Sequence, residues 1–343
     1  MKLQSINRRT AMLAMGASLV GAAFFGPVES ASAAPVRIAA IVQSLNSEYN
    51  VLWANAAQAH PALKDGTAAL TILDGRFDAL TQSNLFDTAI TEKYDAIIFI
   101  PVDINAGNDP VQRAVTAGIP VFGSNTLITK TDLYKSYINS NDVEAGQILA
   151  KSVIDKMGGK GNVVIIEGMI GQSAQVQRLQ GIQKTLADSP NVKVLEMKTA
   201  NWTRADAMSL TENWLTAHPG AINGIIAEND EEALGALAAV KGAGIDPKTI
   251  PIAGVDGVTD ALLAVKRGEM MSTLQDADAQ AKGAIDLALR AVIGDSYKPR
   301  AAVWDVNGGK LAWADGTAQH YYVPWVPVTQ ANVDSLLAMR KKQ

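Results

Sequence analysis

The regular alternation of short apolar runs with amphipathic stretches is the feature that most constrains the fold of this chain. Runs of mostly apolar residues predict buried strands at 36–42, 70–73, 96–100, 120–123, 163–167, 192–197, 224–227, 252–255 and 271–274. The stretches between them predict helices near 47–60, 78–92, 108–117, 142–157, 175–187, 204–217, 230–242, 257–266 and 277–293. Such an alternation is typical of an α/β fold with parallel sheets and helices on both faces.

This series of strands and helices runs twice along the chain. The first run begins with the strand at 36–42, and the second begins with the strand at 163–167. We therefore predict two doubly wound parallel-sheet halves of similar build. Ligands of such sheets bind beyond the carboxyl ends of the strands. Functional residues are therefore expected in the polar turns that follow strands, at 44–47, 125–126, 171–173, 229–230 and 256–257.

The composition excludes several classes of function. A length of 343 residues, with 48% hydrophobic and 19% charged residues, is that of a globular protein of about two domains. The absence of cysteine excludes thiol catalysis, disulfides and iron–sulfur clusters, and three scattered histidines make a poor metal site. The net charge of −4 argues against nucleic-acid binding, because proteins that bind nucleic acids usually present a basic surface to the phosphates.

Residues 1–33 are predicted to be a cleaved signal peptide that is not part of the fold. A basic start with Arg8 and Arg9 precedes an uncharged stretch at 10–28, and the A-x-A sequence at 31–33 matches a cleavage signal. A membrane anchor is the alternative, but it usually needs a basic flank after the apolar stretch, where this chain has small residues. We therefore expect a periplasmic protein, and the arginine pair leaves the general and the twin-arginine export routes both open.

No motif in the sequence predicts catalysis, a metal ion or a cofactor. The glycine-rich segment at 158–161 precedes a strand and lacks the spacing of a phosphate-binding loop. Residues 171–175 lack the second glycine of a nucleophile elbow. The acidic run at 228–232 is interpreted as a helix start capped by Asn229 or Asp230, in preference to a metal cluster. We therefore predict that the protein is not an enzyme and uses no cofactor.

Four segments near strand ends form a recognisable set. The most distinctive is IAENDEEALGA at 226–236, which contains the pattern N-D-x-x-A-x-G-A. A G-x-D-G turn lies within 253–257, a Q-S-x-x-x-x-R-x-x-G segment lies at 172–181, and the opening strand and turn read IVQSLNSEYNVLW at 41–53. In this order, these segments resemble the periplasmic sugar-binding proteins of ABC transporters, in particular the ribose-binding type, over about 36–305.

This resemblance implies a type I periplasmic binding protein, in which two Rossmann-like lobes are joined by a three-strand hinge. The first lobe would comprise 34–140 plus 275–305, and the second would comprise 141–274 plus 306–343. The chain is expected to cross between the lobes at three places, near 140–141, 274–275 and Asp305. The tail after 305 is expected to finish the second lobe with a strand and a helix near 329–340.

The resemblance also implies a set of ligand-binding residues, which are Ser47, Tyr49, Asn125, Arg178, Trp202, Asn229, Asp256 and Gln275. Asn229 and Asp256 match positions that hydrogen-bond hydroxyl groups, and Arg178 matches an arginine that holds sugar hydroxyls. Gln275 matches an amide beside the hinge, Ser47 a polar contact, and Tyr49 and Trp202 aromatic residues against the sugar. From the residues alone, Arg178 could instead be a solvated helix residue, Asp256 a helix cap and the aromatics part of the core.

Two departures from the family pattern bear on the ligand. Asn125 and Thr126 stand where the family has an Asp-Arg pair, and Asn50 stands where it has a second aromatic. The loss of that charged pair makes an open-chain polyol a candidate ligand beside a monosaccharide.

The resemblance implies a function in solute capture. We expect an exported protein that closes on a monosaccharide or polyol and delivers it to the membrane permease of an ABC transporter. A periplasmic sensor that presents the ligand to a signalling receptor is the alternative. The protein is expected to be a monomer and to bind no nucleic acid.

Overall fold

The computed structural model describes residues 34–304 and 311–341. The predicted signal peptide at 1–33 and the crossing predicted at Asp305 lie outside these residues. The described residues form two α/β lobes, each built around a six-stranded sheet. This architecture confirms the predicted fold class.

The first lobe begins with five parallel strands and the helices between them. The strands are β1 (Val36–Val42), β2 (Ala68–Asp74), β3 (Ala96–Phe99), β4 (Val121–Ser124) and β5 (Ser136–Asn139), and the helices are α1 (Glu48–Gln58), α2 (Pro61–Lys64), α3 (Ala79–Thr91) and α4 (Asn108–Thr116).

The second lobe repeats this pattern. Its parallel strands are β6 (Gly161–Glu167), β7 (Val192–Thr199), β8 (Gly224–Ala227), β9 (Ile252–Asp256) and β10 (Met271–Leu274), and its helices are α5 (Asp142–Lys156), α6 (Ser173–Ala187), α7 (Arg204–Ala217), α8 (Asp230–Gly242) and α9 (Thr259–Arg267).

The last elements are divided between the lobes. They are α10 (Ala277–Ile293), β11 (His320–Tyr322), β12 (Val326–Pro327) and α11 (Val333–Arg340). The first sheet has the order β11-β5-β4-β3-β1-β2, and the second has the order β12-β10-β9-β8-β6-β7. Every predicted strand and helix is present within a few residues, while α2, β5 and β11 were not predicted.

The tail corrects the predicted lobe boundary. The sequence analysis predicts that everything after 305 belongs to the second lobe, but β11 pairs with β5 in the first sheet, and Tyr321 is buried in the first core. β12 then pairs with β10 in the second sheet. The chain therefore makes its last crossing over residues 323–325, because the aromatic strand β11 completes the first sheet before the chain leaves it.

Both faces of each sheet are buried, as expected for parallel strands covered by helices. In the first lobe, Trp53 and Ile285 pack on one face, and Phe86 and Phe99 pack on the other with their ring centroids 4.8 Å apart. The second lobe has two corresponding cores. Each sheet is therefore held in place by a core on both of its faces.

Helices α5 and α6 pack with their backbones in close contact. A Cβ atom at Gly146 would lie 1.9 Å from the backbone oxygen of Arg178, and one at Gly181 would lie 2.0 Å from that of Val143. Neither approach is possible for a residue with a side chain. The two glycines therefore set the position of α6 and, with it, that of Arg178.

We predict that Gly146→Ala lowers the free energy of unfolding by roughly 1–3 kcal/mol, because the added methyl group separates the two helices. Gly242→Ala is the matched control: it lies in α8, and a Cβ atom there meets nothing within 4 Å. Its substitution should be neutral or stabilising by up to about 1 kcal/mol. Urea unfolding measures both values, and equal effects of the two substitutions would contradict the helix-packing argument.

Candidate functional site

All eight predicted ligand-binding residues line one small cavity between the lobes. Five further residues complete its wall, which are Gln43, Asn50, Phe77, Gln172 and Ala174. The cavity is small, with an accessible volume of about 40 Å³. Three larger surface grooves, of about 950, 620 and 460 Å³, contain none of the eight. We place the site in the small cavity because polar groups from both lobes converge there.

The cavity lies at the carboxyl ends of the strands, where doubly wound sheets bind ligands. Gln43 directly follows β1, Asn125 follows β4, and Asn229 follows β8. Asp256 is the last residue of β9, and Gln275 directly follows β10.

Three of the eight predicted ligand-binding residues have unusual backbone conformations. The φ angle is +62° at Asn125, +65° at Trp202 and +131° at Asp256. Residues other than glycine adopt such angles at an energetic cost, and such strain often occurs at binding sites. Asp230 holds the turn after Asp256, because its Oδ2 accepts hydrogen bonds from the backbone nitrogens of Gly257 and Val258 at 2.6 and 3.1 Å.

Arg178 is a buried residue, only 3% exposed, and not a solvated helix residue. Its Nε donates to Asp142 Oδ1 at 2.9 Å, and its Nη1 donates to the backbone oxygen of Glu228 at 2.6 Å. Its guanidinium carbon lies 5.7 Å from the ring centroid of Trp202. A guanidinium has five N–H groups, and these two bonds use two of them.

Nearby carboxylates stabilise the positive charge of Arg178. Burial works against that charge, but Asp142 and Asp256 outweigh it, so the pKa of Arg178 lies above its ordinary value. Burial also raises the pKa of the Asp256 carboxyl well above the ordinary range, and Arg178 opposes that rise. Among the described residues, none donates a hydrogen bond to the Asp256 carboxylate, and the residue does not cap α9, whose N-cap is Val258. Asp256 is therefore available to accept hydroxyl hydrogens.

Several amide atoms of the cavity wall are buried without a hydrogen-bond partner among the described residues. Asn50 Oδ1, Gln172 Nε2 and Gln275 Nε2 make no hydrogen bond within the described part of the chain. Asn229 uses its Oδ1 to cap α8, accepting from the backbone nitrogen of Glu232 at 2.8 Å, while its amide hydrogens remain for a ligand. Buried polar groups normally have partners, and hydroxyl groups suit this set because they both donate and accept.

Two of the predicted residues are held by a residue that the sequence analysis missed. Tyr49 Oη donates to Gln280 Oε1 at 2.6 Å, and Asn125 Nδ2 donates to the same oxygen at 3.3 Å. Gln280 Nε2 in turn donates to Ser140 Oγ at 3.1 Å. Ser140 lies at the first crossing between the lobes, so this network connects the cavity to the hinge.

The indole ring of Trp202 packs directly against Gly168, where a larger residue would leave no room for it. A Cβ atom at Gly168 would lie 2.0 Å from the indole ring. The backbone nitrogen of Trp202 donates to Glu232 Oε1 at 2.9 Å. The ring is therefore fixed as one wall of the cavity.

Direct contacts between the lobes show that the structure is in a closed form. Glu48 Oε1 on α1 accepts from the backbone nitrogen and Oγ1 of Thr259, at 2.9 and 2.8 Å. The backbone nitrogen of Ile104 donates to the Gly171 oxygen at 2.8 Å, and that of Leu127 donates to Ser173 Oγ at 2.7 Å. Glu48 thus supplies the N-terminal cap that Val258 cannot provide for α9.

The cavity-lining residues that were not predicted differ in how clearly the sequence indicates them. Gln172 lies in a polar turn after a strand that the sequence analysis singled out, and Gln43 lies immediately before another. Asn50 stands out in the sequence only because it replaces the second aromatic of the family pattern. Phe77 follows β2 with a φ angle of +54°. Its signal was the Asp-Gly turn at 74–75, which marks the end of a strand.

The comparisons with known proteins agree with this geometry. A family model described as a periplasmic binding protein domain matches residues 38–296, and the chain belongs to that family. The chain is 37% identical over 222 residues to the xylitol-binding protein of Mycolicibacterium smegmatis, covering 64% of this chain and 63% of that protein. It is 32% identical over 292 residues to the ribose import binding protein of Salmonella typhimurium, covering 84% and 95%.

A solved structure shows the same architecture. The ABC transporter solute binding protein of Bacillus halodurans, with bound myo-inositol, superposes with a TM-score of 0.78 at 25% identity. The match covers 90% of this chain and 99% of that chain. These proteins are named as binding proteins and not as enzymes, in agreement with the sequence prediction.

Two structural findings bear on other classes of function. None of the helices in the described part of the chain has the length and apolar character that a membrane crossing requires. Within residues 34–304 and 311–341, no group of three metal-ligand side chains could hold a metal ion.

We predict that Asp230 makes stability depend on pH. Burial raises the pKa of Asp230 to about 7, against 3.8 for an ordinary Asp. Between these values the folded protein holds a proton that the unfolded chain has released, so this contribution to stability falls as the pH rises. The free energy of unfolding of wild type should therefore fall relative to that of Asp230→Asn, by up to roughly 1.4 kcal/mol per pH unit between about pH 5 and 7.

Urea unfolding at several pH values measures this difference, with Asp87→Asn as the control because Asp87 is exposed. The control measures how the same substitution at an exposed Asp affects stability. A difference between wild type and Asp230→Asn that does not change with pH would contradict the raised pKa of Asp230.

Proposed function

We propose that the protein captures a monosaccharide or polyol between its lobes and delivers it to the permease of an ABC transporter. The observation that carries this proposal is the convergence of one carboxylate, one guanidinium and several amides from both lobes in one closed cavity. The names of the xylitol- and ribose-binding relatives support a hydroxyl-rich ligand.

The chemistry of the cavity suits a neutral molecule with several hydroxyl groups. Asp256 accepts hydroxyl hydrogens, Arg178 donates to hydroxyl oxygens, and such charge-assisted hydrogen bonds are about twice as strong as neutral ones. Trp202 covers an apolar C–H face of the ligand. Arg178 and Asp256 are the two charged residues of the cavity wall, and Arg178 is already paired with Asp142, so an anionic ligand would find no unpaired positive charge there.

The mechanism is hinge closure. The wall of the cavity comes from both lobes, so a ligand can touch all of it only when the lobes are together. A ligand shifts the equilibrium toward the form for which its affinity is higher. The ligand therefore favours the closed form, which the permease would recognise.

A thermal-shift panel tests the ligand class. It contains xylitol, ribose, apiose, myo-inositol and a set of amino acids as charged controls. A ligand at 100 times its Kd should add about 2.7 kcal/mol of stability. We expect a carbohydrate or polyol to stabilise the protein and the amino acids to leave it unchanged. A response to amino acids alone would contradict the proposal.

We predict that Arg178→Ala and Asp256→Ala each abolish detectable binding of the carbohydrate that the panel identifies, because each removes a charged partner of its hydroxyls. Isothermal titration calorimetry measures binding, and far-UV circular dichroism checks folding. Asp256→Asn is a second, isosteric variant. Arg113→Ala is the matched control, because Arg113 forms an exposed ion pair with Asp87 outside the cavity. Full affinity in the folded Arg178→Ala or Asp256→Ala variant would show that the site is misplaced.

We also predict that Glu48→Ala weakens binding about tenfold although Glu48 does not line the cavity. The substitution removes charge-assisted hydrogen bonds that exist only between closed lobes, and such bonds contribute about 1.5–3 kcal/mol. Small-angle scattering should show a larger open fraction, while the order of affinities for different ligands should not change. Glu92→Ala, which removes an exposed carboxylate of the same lobe, is the control. Unchanged affinity in Glu48→Ala would exclude a role in closure.

A further inference from the structure

A chain of amides in the first lobe indicates a ligand-binding residue that the sequence did not identify. We propose that Asn50 Oδ1 accepts a hydrogen bond from one hydroxyl group of the ligand, and that Gln43 is the positioning residue that orients the Asn50 amide. This inference rests on the proposed function, because it concerns the same cavity.

The orientation of Gln43 is set by acceptors on one side. Its Nε2 lies 3.1 Å from the backbone oxygen of Pro101 and 2.9 Å from Thr126 Oγ1. Thr126 Oγ1 donates its own hydrogen to the same Pro101 oxygen at 2.8 Å. A carbonyl oxygen and a hydroxyl whose hydrogen is already used can only accept. The end of the Gln43 amide that faces them must therefore be the nitrogen, and Oε1 faces the other way.

The orientation of Gln43 then determines that of Asn50. Gln43 Oε1 accepts only, so the Asn50 atom that faces it, at 3.4 Å, is Nδ2. The Asn50 oxygen consequently points away from Gln43. Asn50 is 1% exposed, and its Oδ1 has no hydrogen-bond partner within the described residues.

The position of Asn50 connects this bare oxygen to the ligand. Asn50 is the third residue of α1, directly after Tyr49, and both residues line the cavity. A buried acceptor without a partner is unfavourable, and a ligand hydroxyl would supply the missing donor. A carbonyl or ether oxygen of the ligand could not, because neither carries a hydrogen. Asn50 would therefore require a hydroxyl group at one position of the ligand.

Thr126 has a positioning role in this arrangement. It holds the Gln43 amide and does not itself line the cavity. The first lobe thus presents neutral, oriented amides where the related ribose-type pattern has a charged pair. Selectivity on this side of the ligand depends on the direction of each amide and not on charge.

The experiment uses monodeoxy analogues, each of which lacks a single hydroxyl group. The probe is the tightest binder among xylitol, ribose, apiose and myo-inositol, together with its monodeoxy series. Calorimetry gives Kd for wild type, Asn50→Leu, Asn50→Ala and Gln43→Met. The control is Asn46→Leu, the same substitution at an exposed amide four residues earlier. Circular dichroism and thermal unfolding show which variants fold, and Asn50→Ala replaces Asn50→Leu if leucine prevents folding.

In wild type we expect the loss of one particular hydroxyl to weaken binding by about ten- to a hundredfold. In Asn50→Leu the affinity for the full probe falls by a similar factor, and the penalty for that one hydroxyl disappears, while the penalties at other positions remain. In Gln43→Met the penalty at the same position becomes smaller, because the Asn50 amide is free to rotate. A merely structural role would weaken all analogues equally. The control should behave like wild type.

Two negative outcomes are distinguishable. If wild type binds none of the four carbohydrates, the proposed function fails, and this inference fails with it. If wild type binds but Asn50→Leu or Asn50→Ala retains every single-hydroxyl penalty, the inference is overturned and the proposed function stands. An unchanged penalty in Gln43→Met would overturn the positioning role of Gln43.

Discussion

The buried ion pair between Arg178 and Asp142 connects the binding cavity to the hinge. Asp142 is the first residue of α5, directly after the first crossing, and Arg178 reaches it from α6 with both side chains almost inaccessible to water. Removing one partner of such a pair is strongly destabilising, because it leaves the other charge buried and uncompensated. The glycine contact between α5 and α6 fixes the distance between the two helices. Arg178 is therefore in place before any ligand arrives.

Under the proposed function, the two walls of the cavity would recognise hydroxyl groups in different ways. The second lobe contributes the guanidinium of Arg178, which Asp142 holds in place, and the carboxylate of Asp256. The first lobe contributes oriented amides, among them Gln43, Asn50 and Asn125. Charge supplies strength on one side, and the direction of each amide supplies selectivity on the other. If closure brings these walls together as proposed, a captured ligand would have to satisfy both.

The sequence predicted the fold well where strands are long and apolar, and less well where they are not. The sequence predicts β1 and β6 correctly because runs of branched apolar residues are typical of buried strands. β5, which reads SYIN, and β11, which reads HYY, carry no such signal, and their pairing depends on neighbours far along the chain. The error in the last crossing followed from the missed β11. Family motifs indicated Arg178 and Asp256, but the burial of Arg178 depends on Asp142, which packing alone brings into contact with it. The direction of the Asn50 amide likewise follows from three-dimensional contacts that no spacing in the sequence encodes.

Mass spectrometry of the molecule that the protein selects from a mixture tests the central claim most directly. The protein is unfolded to remove any ligand, refolded, incubated with a metabolite extract, washed and then denatured to release what it has bound. We predict a neutral, unmodified molecule with several hydroxyl groups and the size of a monosaccharide or pentitol. Release of an amino acid, a phosphorylated compound or another charged molecule would contradict the account.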